Sequence, residues 1–269
     1  MLNTNPQRFV EKGYCLFPDT LDSQEISTLR RMLDAALATP LPYFTESHRR
    51  DPGPLDRPGY IGEPHTRDLG WLEICRHPRI LDAVEAVLGP DLILVFSSVF
   101  IKEPFDPTEV AWHQDNSYWP SVHGNDVATL WLAIDDADDA NAAMQVIPGS
   151  HQGHQELAVL PSGQNQMLSR KVAVTTAEQE RALTLSMRAG SLSIHDSFII
   201  HGSTANHSDR RRAGYTIRYC SSDTAWVDTA AHPIPVFLVR GEAGARGADY
   251  TDLRPHIEAR STLLSPPAA

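Results

Sequence analysis

The chain has 269 residues, with 23 lysines and arginines against 34 aspartates and glutamates, giving a formal net charge of −11. That length suits one large domain as well as two small ones and is enough for a sizeable core, and the acidic balance argues against nucleic acid as a partner. Met1–Pro6 shows no basic stretch leading into an apolar run, so no signal peptide is expected, and no apolar run approaches the length of a membrane span. Three scattered cysteines, Cys15, Cys75 and Cys220, give neither a disulfide framework nor a zinc ribbon, so a cytoplasmic location is expected.

The first forty residues read as helix, strand, helix. Tyr14–Phe17 is a short apolar strand. Asp22 with Glu25 three residues on is the signature of a capping box, and Ile26, Leu29, Met32, Leu33 and Leu37 follow at helical spacing. Asp51 to Tyr60 holds three prolines and two glycines and is expected to be irregular. Pro78 to Leu88 reads as a helix stopped by Gly89-Pro90. From Asp91 the character changes. Leu92–Phe96, Val99–Ile101, Ala128–Ile134, Met144–Ile147, Leu183–Met187, Ser191–Ile194 and Tyr215–Tyr219 are strand-like and separated by turn residues. The expected fold is mainly β with flanking helices, a double-stranded β-helix or cupin-like jelly roll. One domain is expected over residues 1–269. In it, N-terminal helices (1–90) pack on a jelly-roll core (91–222), followed by a C-terminal extension (223–269). His151 to Arg181 is polar and aperiodic, suited to loops over one mouth of the barrel, and the tail Ser265–Ala269 is expected to fray.

His113 and Asp115, in the run Trp112-His113-Gln114-Asp115-Asn116-Ser117-Tyr118-Trp119, carry the chemistry. On a strand, residues i and i+2 share a face. Both side chains would then face the barrel interior and Gln114 would point away, with Trp112 and Tyr118 shielding the site. His201 follows Phe198-Ile199-Ile200, read as a later strand that can lie across the barrel. Two imidazoles and one carboxylate can occupy one face of an octahedral iron(II) and leave the other face for oxygen and a chelating co-substrate. Taken alone, the pair could equally be a core histidine bonded to its neighbour. His195-Asp196 is a poorer chelate, because adjacent residues face opposite sides of a strand. His151 and His154 read as turn or surface residues, and His48, His65, His123, His207, His232 and His256 have no ligand-like context.

Three segments occur in order: Trp112–Trp119, Asn141-Ala142-Ala143-Met144-Gln145-Val146-Ile147-Pro148-Gly149-Ser150-His151, and His201-Gly202-Ser203-Thr204-Ala205-Asn206-His207-Ser208-Asp209-Arg210-Arg211-Arg212. Together with the opening Phe9-Val10-Glu11-Lys12-Gly13-Tyr14, they resemble the phytanoyl-CoA dioxygenase family of iron(II)/2-oxoglutarate oxygenases, from about Phe9 to about Tyr219. The resemblance implies that His113, Asp115 and His201 ligate Fe(II). It implies that Arg212 pairs with the distal carboxylate of 2-oxoglutarate, that Ser203 assists it, and that Trp131 lines that pocket. Arg211 and Arg212 are adjacent, so only one of them can point inward. The family reaction turns 2-oxoglutarate and O2 into succinate and CO2 while a substrate C–H bond is oxidised. Related halogenases carry a small residue where Asp115 stands, so the carboxylate favours hydroxylation, although desaturation or ring formation can use the same triad. Asn116, Tyr118, Trp119 and Trp226 are candidate walls of a pocket for a small metabolite or amino-acid-like substrate. Two other readings stay open: a cupin-like metal oxygenase or isomerase that does not consume 2-oxoglutarate, and a non-catalytic binding domain on the same fold.

Overall fold

The structure is a computed structural model that describes residues 6–41, 56–232, 234–245 and 250–252. His48, His256, residues 51–55 of the proline-rich loop and the tail 265–269 lie outside the described residues. The chain opens with helix α1 (Gln7–Lys12), strand β1 (Tyr14–Phe17) and helix α2 (Ser23–Ala38). Gly13 ends α1 in the left-handed region, at φ 81°, which glycine adopts without steric cost. The capping box forms. Asp22 Oδ1 accepts from the Gln24 and Glu25 amides, both at 2.9 Å, and Glu25 Oε2 accepts from the Asp22 amide at 2.8 Å. The loop expected to be irregular instead contains a small hairpin, β2 (Asp56–Arg57) and β3 (Tyr60–Gly62), turned at Pro58-Gly59. Helices α3 (Leu69–Cys75) and α4 (Pro78–Leu88) follow, the second begun by Pro78 and ended at Gly89.

The β region starts with one long strand, β4 (Leu92–Lys102), where two were expected. Ser97 and Ser98 lie between the two expected stretches, and the chain runs straight through them with their hydroxyls satisfied inside. Ser97 Oγ accepts from Tyr215 Oη at 3.0 Å, and Ser98 Oγ lies 2.8 Å from Tyr60 Oη. The remaining strands are β5 (Val110–His113), β6 (Val122–His123), β7 (Val127–Ala133), β8 (Gln145–Val146), β9 (Val159–Pro161), β10 (Arg170–Val172), β11 (Leu183–Thr184), β12 (Leu192–Asp196), β13 (His201–Ser203), β14 (Arg212–Ser221), β15 (Trp226–Val227), β16 (Phe237–Arg240) and β17 (Thr251–Asp252), with a short helix α5 (Thr176–Gln179). The polar segment 151–181 is thus not wholly aperiodic, since β9 and β10 pair as a hairpin. Phe198–Ile200, expected as strand, is a turn, and pairing begins only at His201.

Two sheets face each other. The larger has the order β1-β12-β7-β14-β4-β16-β17, with β3 also on β4, and the smaller has the order β11-β8-β13-β5. This is a mainly β, jelly-roll architecture. The large sheet recruits β1 and β3 from the N-terminal segment and β16 from the C-terminal one. Both flanking segments therefore contribute strands as well as helices.

Alternation along the strands separates two environments. On the outer face, Leu130, Leu132, Tyr215, Ile217 and Tyr219 are fully buried against Leu29, Leu33, Ile80 and Val84 of the helices. Each such aliphatic side chain contributes about 1.5–3 kcal/mol through burial. The Tyr215 hydroxyl is not stranded there. It meets Cys75 Sγ at 3.0 Å, and its ring packs edge-on against Trp71 at 4.9 Å. The inner face is polar. In register across it stand His195, Thr129, Arg218 and Phe96, and in the next inner row Ser193, Trp131, Thr216 and Ser98. The helices thus seal one side of the large sheet and leave the other to line a cavity against the small sheet.

Candidate metal centre and co-substrate pocket

His113 ends β5 and His201 begins β13, and the two are direct register partners in the small sheet. Asp115 is not on the strand. It starts a short 3-10 turn, Asp115–Tyr118, but Gln114 between them is extended (φ −111°, ψ 133°), so positions 113 and 115 still share a side. Gln114 points away from the cavity yet is buried. Its amide nitrogen donates to Phe198 O at 2.8 Å and its oxygen accepts from Leu157 N at 2.9 Å, pinning the turn before His201 and the long loop.

The ligand atoms of His113, Asp115 and His201 lie within 4.8 Å of one another, and all three residues are buried. His113 Nδ1 is 2.8 Å from Ala111 O and His201 Nδ1 is 3.0 Å from Ile199 O. A carbonyl only accepts, so each Nδ1 carries the hydrogen and each Nε2 presents a lone pair. Those lone pairs face Asp115 Oδ1 at 3.5 and 3.7 Å. Lone pairs turned on a carboxylate repel unless a cation lies between them, so this donor set fits a metal ion. The charge environment agrees. Burial alone would raise the Asp115 carboxyl, but positive charge on the His201, His113 and His195 rings, together with the Arg218 guanidinium, outweighs it and holds it well below the usual carboxylate range, a charge that a metal ion would supply where the imidazoles are neutral. Burial, together with His113 and His195, holds His201 well below the usual imidazole range and keeps it neutral, as a ligand must be.

Behind the triad, Thr129 Oγ1 on β7 donates to Asp115 Oδ2 at 2.5 Å. His195, set aside in the sequence for its adjacency to Asp196, enters the site alone. Its Nε2 lies 3.5 Å from Asp115 Oδ2, and its ring centroid is 4.5 Å from that of His201. Neither ring nitrogen of this buried imidazole has a hydrogen-bond partner among the described residues. Asp196 faces the other way, toward His154 Nε2 at 3.4 Å. His151 is buried rather than superficial, with Nε2 3.1 Å from Val10 O of α1.

Arg212 starts β14 and turns inward, while its neighbours turn out. Arg211 pairs with Asp135 at 2.8 Å, and Arg210 with Asp138 at 2.7 Å. Arg212 is 2 % exposed, donating from Nε to Ala142 O and from Nη2 to Ser203 Oγ, both at 3.1 Å. Among the described residues no carboxylate lies within 4.0 Å of it. Burial, partly offset by Asp106, pulls its pKa down to about 10, so it remains a cation at neutral pH. Its guanidinium carbon is 5.5 Å from the centre of the Trp131 ring. Opposite it in register, buried Lys102 donates to the carbonyls of Ser203 and Thr204. Burial and the Arg212 charge push Lys102 down to about 6, against Asp106 and Glu109. A buried cation with no carboxylate is what a carboxylate-bearing co-substrate needs.

One cavity of about 440 Å³ joins these parts, reaching His113, Asp115, His195, His201, Trp131 and Arg212. Tyr118 and Trp119 also line it, whereas Asn116 and Trp226 do not. Asn116 turns toward Glu156 at 3.5 Å, and Trp226 stacks on His123 at 4.1 Å in the β6–β15 pair. At the mouth, Tyr118 Oη donates to Arg170 O at 2.8 Å, tying the 151–181 segment to the site.

A match to the phytanoyl-CoA dioxygenase (PhyH) family covers residues 9–214. The chain belongs to that family. Among its relatives, a probable α-ketoglutarate-dependent hypophosphite dioxygenase of Stutzerimonas stutzeri is 30% identical over 168 residues, covering 62% of this chain but only 58% of that protein. An L-proline trans-4-hydroxylase of Streptomyces griseoviridis is 26% identical over 255 residues, 86% of this chain and 90% of that one. A crystal structure of the epimerase SnoN, in complex with Fe3+, α-ketoglutarate and nogalamycin RO, shares the fold. Its TM-score is 0.65 at 23% identity, over 83% of this chain and 84% of that one. The first of these relatives is α-ketoglutarate-dependent by name and the SnoN structure holds Fe3+ and α-ketoglutarate, and the His-Asp-His cluster of this chain suits a metal ion. Among the described residues no helix is long and apolar enough to cross a membrane.

Proposed function

We propose that the chain is an iron(II)/2-oxoglutarate-dependent hydroxylase acting on an unactivated carbon of a small metabolite. The observation that carries this reading is one cavity holding two things at once: the His113–Asp115–His201 cluster and a buried, carboxylate-free Arg212. His113, Asp115 and His201 would hold the iron, which when bound supplies the oxygen chemistry that turns 2-oxoglutarate and O2 into succinate and CO2. The residues of the chain supply position. Arg212 and the Ser203 hydroxyl take the distal carboxylate, and the Trp131 ring packs beside it. Thr129 fixes the rotamer of Asp115 through Oδ2, leaving Oδ1 for the metal. Tyr118 and Trp119 restrict water at the substrate side, where a reactive intermediate has to be kept from solvent. The carboxylate at position 115 completes a three-ligand set, which favours hydroxylation over halogenation.

The test is succinate release from anaerobically Fe(II)-loaded protein, given 2-oxoglutarate and then O2, in the wild type and in Asp115→Ala. Release should require iron and disappear in the variant. Release that persists in the variant would exclude this ligand set. Activity untouched by Arg212→Ala would point instead to a metal oxygenase or isomerase that consumes no 2-oxoglutarate.

A further inference from the structure

A buried guanidinium and a buried carboxyl group face the cavity, and the reaction above uses neither. Arg218 lies on the same inner face of β14 as Arg212, six residues further on, which is about 20 Å along a strand. It is 7 % exposed. Its Nη1 donates to Thr216 Oγ1 at 2.7 Å and Ser98 Oγ at 3.2 Å, while its buried Nε has no partner among the described residues. Glu63 follows β3 and is 8 % exposed. Its backbone is left-handed (φ 50°, ψ 43°), a strained conformation for a residue with a side chain. Ser97 clamps it from both directions. The Glu63 amide donates to Ser97 O at 3.0 Å, and Glu63 Oε2 accepts from Ser97 N at 3.1 Å. Its Oε1 accepts no hydrogen bond among the described residues.

The two do not neutralise each other, for no ion pair joins them within 4.0 Å. A pair kept only for structure would close to contact, where each group offsets the cost of burying the other, whereas the nearest ionisable side chain to Glu63 Oε2 among the described residues is His65, with Nδ1 at 3.6 Å. Both groups line one cavity, with Phe96, Phe100 and Trp119 also on its wall.

We propose that Arg218 and Glu63 are the specificity site for the primary substrate, and that this substrate is a small zwitterion whose carboxylate binds Arg218 and whose ammonium group binds Glu63. Its carbon skeleton lies along the aromatic wall, with one C–H directed at the metal centre. This assignment rests on the hydroxylase reading. Burial pushes the Glu63 carboxyl up to about 8, against the Ser97 amide, Arg218 and Arg67. An incoming ammonium supplies the compensating charge and the carboxyl ionises beneath it.

Anaerobic holoprotein with Fe(II) is first titrated with 2-oxoglutarate, then probed by thermal shift and calorimetry with small metabolites sorted into zwitterions, monocations, monoanions and neutral molecules. Zwitterions should give the tightest binding. Glu63→Gln and Arg218→Met should each weaken it roughly 30-fold or more, while 2-oxoglutarate still binds. Arg218→Lys, which keeps the charge, serves if Arg218→Met is unfolded, and should lose affinity through the lost fork. Tightest binding by another charge class, no zwitterion binding, or zwitterion binding indifferent to both variants overturns the assignment and leaves the hydroxylase reading standing. Failure of the wild-type holoprotein to bind 2-oxoglutarate overturns both.

Discussion

Trp131 occupies the space above Gly214. A Cβ built on that glycine would lie 2.1 Å from Cε2 and Cζ2 of the indole. The absence of a side chain at 214 is what lets the ring lie flat on β14 beside Arg212, with the guanidinium carbon 5.5 Å from the ring centre. Gly214→Ala must therefore displace the indole. Overpacking of this kind costs about 1–3 kcal/mol, and the displaced ring intrudes on the co-substrate end of the cavity. The variant should melt several degrees lower and show a raised KM for 2-oxoglutarate. Adding Trp131→Phe should recover part of both losses, because the smaller ring vacates the clash. An additive double mutant would show that the two residues are not coupled.

Arg212 is the inward member of three consecutive arginines, and the contrast with Arg211 is testable. A buried charged hydrogen bond contributes about 1.5–3 kcal/mol, so Arg212→Met should raise KM for 2-oxoglutarate roughly 10- to 150-fold. Arg211→Met removes only the outward pairs with Asp135 and Asp34 and should leave that KM unchanged. Steady-state succinate formation across 2-oxoglutarate concentrations measures both.

Thr129 holds Asp115 from behind through one hydrogen bond of 2.5 Å. Thr129→Val keeps the shape and removes that bond. Partners behind a ligand typically account for 10- to 100-fold in metal affinity. Fe(II) affinity, measured by chelator competition, should fall within that range while the far-UV spectrum stays unchanged. Unaltered affinity would mean that the carboxylate is held by its ligand neighbours alone.

The small-sheet half of the site was legible because its signals are local. His113 and Asp115 sit two apart, and the extended Gln114 preserves their common face even though the strand stops at 113. Asp22 and Glu25 likewise declared a helix start within four residues. In the large-sheet half, Arg212 and Trp131 came with the family resemblance, but the rest was not legible, because it depends on register between distant strands. His195, Thr129 and Arg218 line up only once β12, β7 and β14 pair. Even so, their spacing to known positions carries a weak trace, Thr129 two before Trp131 and Arg218 an even six after Arg212. Glu63 left no trace, since its aim comes from a left-handed backbone and a clamp to Ser97, 34 residues away. Asn116 and Trp226 misled for the opposite reason. Both are polar or aromatic near the motifs, but the 3-10 turn and the β6–β15 pair rotate them out of the cavity.

Glu63 also leaves a signature in stability against pH. Its folded-state carboxyl is raised by burial from 4.5 to about 8. Between those values the folded chain keeps a proton that the unfolded chain has released, so unfolding becomes easier as pH rises. The stabilising contribution is complete below the unfolded value and is lost as pH climbs through the folded one, at up to about 1.4 kcal/mol per pH unit. Glu63→Gln cannot titrate. Its stability relative to wild type should therefore grow from pH 5 to pH 8 and level off above, an interval within which neighbouring titrations are common to both proteins and cancel. Urea denaturation of both proteins at matched pH values measures the difference directly. A difference that stays flat across that interval would mean that Glu63 is already ionised in the folded protein, with Arg218 and Arg67 offsetting its charge.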